Sequence, residues 1–150
     1  MRGRGAFFRL GLLFCCAASF FASADALGAS VVINEVLFDP EGTDTGLERI
    51  ELYNAGDAPE NMTGWRLNPD GIGYFLFPSG FSLAPKSFVT VRLRQTGVDT
   101  ERDLYHFSSA LKDNMGNTSG FAALFSGDPG KDTVTSFVQC GWSGQTWESA

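Results

Sequence analysis

From Val31 onward the chain is divided into short runs of branched and aromatic residues separated by Gly, Pro, Asn and Asp, and no segment sustains a helical period. That division is the strongest constraint on what this sequence can fold into. A short apolar run buries one face only if it alternates, and a period of two belongs to a strand. Phe88-Val-Thr-Val-Arg-Leu-Arg94 is the clearest case: Val89, Val91 and Leu93 share one face, Phe88, Thr90, Arg92 and Arg94 the other. Arg49-Ile-Glu-Leu-Tyr-Asn54 repeats the pattern, with Ile50, Leu52 and Asn54 opposite Arg49, Glu51 and Tyr53.

Further strands are expected at Val31–Phe38, Gly64–Asn68, Tyr74–Phe77, Leu104–Phe107, Phe121–Phe125 and Thr133–Val138. Turn composition marks Asn54-Ala-Gly-Asp-Ala-Pro59, Asn68-Pro-Asp-Gly71, Leu83-Ala-Pro-Lys86 and Gly127-Asp-Pro-Gly130, and the polar stretch from Ser108 to Ser119 reads as a long loop. About eight short strands at regular spacing predict an all-β fold, an immunoglobulin-like β-sandwich. Trp65, following Gly64, is expected in the core, with Ile33, Ile50, Leu52, Leu67, Val89, Val91, Leu93 and Leu124 on the two inner faces. Asn54, ahead of Ala55-Gly56, suits a turn in which the side chain bonds the backbone.

The start of the chain is of another kind. Three arginines precede an apolar and small-residue run from Leu10 to Ala24, which closes on Ala22-Ser23-Ala24. A positive start, a short apolar middle and an A-x-A end predict a signal peptide over residues 1–24, cut before Asp25. The run falls short of the ~20 apolar residues that cross a bilayer, so no membrane span is expected after cleavage. Phe14 before Cys15 disfavours a lipid anchor, which needs a small residue ahead of the acylated cysteine. The expected location is secreted, periplasmic or extracellular. Three of the eleven basic residues leave with the signal, so eight face seventeen acidic ones, a formal charge of −9. Such a surface repels phosphate backbones and disfavours nucleic acid as a partner. Cys140 is the one cysteine beyond the signal, which precludes an intramolecular disulfide.

The ordered motifs Val32-Ile-Asn-Glu-Val36, Glu48-x-Ile-Glu-Leu-Tyr-Asn54 and Met62-Thr-Gly-Trp65-x-Leu67 resemble the opening of a lamin tail domain. Phe77-Pro78, Phe81-Ser-Leu83, the Val89–Leu93 strand, Asp103-Leu-Tyr105, Asn114-Met-Gly-Asn117 and the Thr133–Val138 strand continue in that family's order. The resemblance covers residues 30–139 and leaves 140–150 as a tail containing Gly and Trp. It implies an immunoglobulin-like sandwich used as an attachment or recognition surface, with protein or cell-surface polymer as partner. Relatives in bacteria carry such a domain on exported proteins, beside nucleases or surface modules. The alternatives to a simple binding module are therefore an accessory domain of a secreted nuclease or other extracellular enzyme system, or a calcium-stabilised adhesion module. No coiled-coil rod accompanies the motifs, so filament formation is not implied.

Residues able to carry chemistry are sparse. Asp39, Glu41, Asp44 and Glu48 form an acidic loop whose oxygens suit calcium, although the spacing is not that of an EF-hand. A solvated turn in which Asp39 and Asp44 bond their own backbone is the competing expectation. No other cofactor is implied. His106 is the single histidine, and Ser108, Ser109 and Asp103 lie too near it in sequence to supply a triad from separate elements. One His and one Cys cannot build a zinc site. The expectation is a protein without catalytic residues. Tyr74, Phe75, Phe77, Tyr105 and Phe107 could offer a ring-lined face, about half of them pointing inward.

Overall fold

The computed structural model describes residues 30–111, 113–140 and 148–149. The expected signal peptide and the tail residues Trp142 and Trp147 lie outside them. Among the described residues there are eleven strands and no helix: β1 (Val31–Leu37), β2 (Arg49–Asn54), β3 (Glu60–Asn61), β4 (Arg66–Pro69), β5 (Phe75–Leu76), β6 (Ser82–Leu83), β7 (Phe88–Leu93), β8 (Asp103–His106), β9 (Gly120–Phe125), β10 (Val134–Cys140) and β11 (Glu148–Ser149). They form a four-stranded sheet ordered β1-β2-β7-β8, a five-stranded sheet ordered β11-β10-β9-β4-β5, and the small pair β3-β6. This is the all-β, immunoglobulin-like sandwich that the alternation predicts.

Three strands beyond the expected set, β3, β6 and β11, are two residues long each. Two residues carry no periodicity, so only pairing reveals them. The run Tyr74–Phe77 contracts to β5 because it is pinched at both ends. Gly73 ahead of it takes a left-handed φ of 102°, and Pro78 behind it has no amide hydrogen to give.

One lateral seam of the sandwich is closed by a hydrogen bond. β1 is an edge strand with a bulge between Ile33 and Glu35, and β10 has its own irregularity between Val134 and Ser136. At that level the Ile33 amide donates to Ser136 Oγ at 3.0 Å, joining one sheet to the other. The opposite seam is closed by Phe75 of β5 meeting His106 of β8 edge-on, with ring centroids 5.5 Å apart.

β7 and β8 run parallel, with Thr90 beside Asp103 and Leu93 beside His106. Parallel neighbours ordinarily need a long crossover. Here a short connection suffices because the strands overlap by only four residue pairs. It folds back over the outer face, with Gly97 laid directly on the Tyr105 ring. A Cβ at Gly97 would sit 2.1 Å from Tyr105 Cζ, so no other residue fits without displacing the ring.

The inward parity of β2, β4, β7 and β9 fills the core. Ile33, Ile50, Leu52, Trp65, Leu67, Val89, Val91, Leu93 and Leu124 are all buried. Phe77 is the largest of the side chains with almost no exposure, and its ring meets Phe75 at 5.0 Å. Burying such a ring contributes about 2–3 kcal/mol.

Candidate functional site

The outward residues of the four-stranded sheet form cross-strand rows. Tyr53 lies between Val32 and Phe88, Glu51 opposite Thr90, and Arg49 opposite Arg92. On the next strand Thr90 neighbours Asp103, and Arg92 neighbours Tyr105. The rings of Tyr53 and Phe88 stack with centroids 4.6 Å apart, and Phe88 remains 46 % exposed. Arg92 Nε reaches Asp103 Oδ1 at 2.8 Å.

β8 begins only opposite Thr90, whose amide donates to the Arg102 carbonyl at 2.8 Å. One turn of the pleat earlier, at Phe88, no strand among the described residues covers that side of β7. The sheet opens there into a groove of about 690 Å³. Its floor is Glu51, Phe88, Thr90 and Arg92; Ser82, Leu83, Ala84, Lys86 and Ser87 form one wall and Glu101–Asp103 the other. Charges of both signs line it. Lys86 is paired with Asp57 at 3.0 Å, and Glu51 accepts from Asn34 at 2.8 Å. Arg102 and Glu101 enter no ion pair among the described residues. A half-exposed ring beside donors and acceptors of both signs is suited to holding an extended chain.

At one end of the sandwich the acidic loop takes an arrangement of its own. Asp39 Oδ1 and Asp44 Oδ2 both accept from Asn117 Nδ2, at 3.1 and 3.2 Å. Glu41 is exposed. Glu48 is turned the other way: it is 1 % exposed, and its Oε1 accepts the Met115 amide at 2.8 Å. The four acids are therefore not gathered as one ligand set. Among the described residues, no three His, Cys, Asp or Glu side chains come together as a metal ion requires. Glu48 shares the parity of Ile50, Leu52 and Asn54, and that alternation was the sequence signal for its inward position.

Burial pushes the Glu48 carboxyl up to about 7. The Met115 N–H pulls against this, the nearby Asp44 charge adds to it, and Arg94 opposes it. Glu48 Oε2 and His106 Nε2 are buried side-chain atoms with no hydrogen-bond partner among the described residues. The two residues stand on one row across the inner face. Leu93 lies between them, donating its amide to the Glu48 carbonyl at 3.0 Å and pairing with His106 on its other side. Burial holds the His106 imidazole below its ordinary value, the Gly73 backbone pulling the other way.

The remaining expected residues disperse. Asp103 and His106 project from opposite faces of β8, since Asp103 meets Arg92 on the outer face and His106 meets Phe75 within the core. Ser108 Oγ accepts from the Ala110 amide at 3.2 Å, and Ser109 is exposed. The Cys140 side chain lies outside the described residues. Of the rings, Phe75 and Phe77 are buried, Tyr74 and Phe107 are half-exposed, and Tyr105 lies beneath Gly97. The outward pair Tyr53–Phe88 was not among the rings singled out, although both occupy the polar parity of their strands.

Comparison with known families matches this chain to the model described as Lamin Tail Domain over residues 25–137, a span containing both large sheets as far as the middle of β10. No curated protein matches it.

Proposed function

We propose that this chain, which belongs to the lamin tail domain family, is an exported, non-catalytic binding module whose outer-face groove holds a protein or surface-polymer chain. The family is one of non-enzymatic immunoglobulin-like domains. Function in such a sandwich resides in surfaces laid on the fold rather than in the fold itself.

The observation that carries the reading is the uncovered stretch of β7 at Phe88. A strand edge with no neighbour presents unpaired backbone groups, which natural sheets ordinarily cover or blunt. Here it is flanked by a stacked aromatic pair on one side and by Arg102 and Glu101 on the other. An extended ligand laid along that edge would gain backbone hydrogen bonds, ring contact and charge selection together. The signal-like residues 1–24 and the acidic balance beyond them support an extracytoplasmic setting and a partner other than nucleic acid.

The test is nuclear magnetic resonance mapping of the chain against fractionated envelope polysaccharide and secreted protein. A genuine partner shifts the amides of Glu51, Phe88, Thr90 and Arg92, and Phe88→Ala together with Arg102→Ala lowers its affinity by at least tenfold. Binding that ignores both substitutions overturns the groove. Hydrolysis of the bound polymer that is lost in His106→Ala overturns the non-catalytic reading.

A further inference from the structure

We propose that Glu48 is a protonation-controlled latch on the connection between β8 and β9: protonated, it keeps the segment around Met115 docked on the start of β2, and ionised, it lets that segment swing away.

The segment is held at three neighbouring residues. Asn114 Oδ1 accepts from Arg94 Nη1 at 2.5 Å, the Met115 amide donates to Glu48 Oε1, and Asn117 Nδ2 bridges Asp39 and Asp44. The Arg94 and Asn117 holds are exposed or partly exposed and compete with water. The middle one is buried and runs through a single titratable group. Beneath the segment, a Cβ at Gly71 would come within 3.0 Å of the Asn114 carbonyl, so the β4–β5 turn is a close-fitting seat rather than a tether.

The surroundings favour the neutral form of Glu48. The Met115 N–H on Oε1 by itself favours the carboxylate, but burial outweighs it, and Oε2 is buried with no partner among the described residues. A neutral carboxyl leaves a single hydroxyl unsatisfied there, whereas a carboxylate leaves a buried charge half-solvated, which costs far more. The charged neighbours do not remove this penalty. Asp44, on the β1–β2 connection, repels the ionised form. Arg94, at the end of β7, attracts it, yet its guanidinium is shared with Asn114 and Thr45. His106, across Leu93 on β8, is kept neutral by its own burial. Asp39 acts on the segment only through Asn117.

The sign follows. With its carboxyl raised from 4.5 to about 7, Glu48 favours the docked state below 4.5, and that preference is lost as pH rises through 7. Release solvates Glu48 and uncovers Met115, which is otherwise 3 % exposed. An apolar surface would thus appear at the acidic end of the molecule under mildly alkaline conditions and be withdrawn under acidic ones.

Amide hydrogen exchange on the full chain tests this, because the Met115 amide reports the latch directly. Between pH 6 and 8 its protection factor should fall about tenfold beyond the intrinsic base catalysis, while that of Leu93 stays level. Glu48→Gln should make the Met115 protection independent of pH. A Met115 protection factor that is level in the wild type, or that still falls in Glu48→Gln, overturns the proposal. Should Glu48→Gln fail to fold, the carboxyl carbon of Glu48 in the wild-type chain decides: titration near 7 supports the latch, and titration near 4.5 overturns it.

Discussion

The amide of Ile33 is bonded to the hydroxyl of Ser136 across 103 residues of sequence, and this bond joins the two sheets of the sandwich at their closed seam. Both residues are buried, at 8 % and 7 % exposure. Ser136→Ala removes the acceptor and leaves the Ile33 N–H dry and unsatisfied. The expected cost is about 1–3 kcal/mol of stability, read from urea unfolding. Faster exchange of the Ile33 amide should accompany it. An unchanged midpoint would mean that water replaces the hydroxyl at the seam.

Asn54 does more than begin a turn. It has no exposure, its Nδ2 donates to the carbonyls of Ala58 and Leu83 at 2.9 Å each, and its Oδ1 accepts from Gly56 at 2.9 Å. One side chain thus ties the end of β2 to the following turn and to β6. Asn54→Ala should destabilise by about 2–3 kcal/mol, since the buried Leu83 carbonyl and two part-buried backbone groups lose partners. Asn54→Asp retains the Gly56 bond but sets a carboxylate against two carbonyls. It should therefore lose at least as much at pH 7, and thermal unfolding of the two variants makes the comparison.

His106 predicts the acid limb of stability. Its imidazole is depressed below 6.5 by burial, so its contribution is present above 6.5 and is lost as pH falls through the lower, folded value. His106→Gln cannot titrate in this range. Its unfolding free energy should decline less than the wild type's between pH 7 and 5. Parallel curves for the two proteins would contradict a buried, neutral imidazole.

How much of this was legible follows from the range over which each feature is encoded. Alternation is local, so Ile50–Leu52–Asn54 and Val89–Val91–Leu93 announced their strands and faces, and Trp65 its place inside. The β3–β6 pair, the parallel β7–β8 register and the groove depend on where distant segments stop. That β8 starts opposite Thr90 rather than Phe88 has no signature in either strand alone. Glu48 shows the other kind of miss. Residue type placed it with Asp39 and Asp44 as a loop acid, while its parity with Ile50 placed it indoors. Parity prevailed because the Glu48 backbone already pairs with Leu93, which fixes the direction of the side chain before its charge is considered.

Glu48 supplies the last prediction, on global stability. If the carboxylate stayed buried at all pH values below unfolding, raising the pH from 4 to 8 would cost the fold on the order of 3 kcal/mol, the free-energy equivalent of a shift from 4.5 to about 7. A latch that opens solvates the charge while the sandwich persists, so the global loss is capped by the cost of opening. Wild type measured against Glu48→Gln by urea unfolding should therefore lose relative stability on the alkaline side, by about 1–3 kcal/mol. A loss near the upper bound means that the segment stays docked with its charge inside. A smaller loss accompanied by exchange confined to the Met115 segment is the expected outcome. No relative loss at all would place Glu48 in water from the start and remove the physical basis for its raised carboxyl.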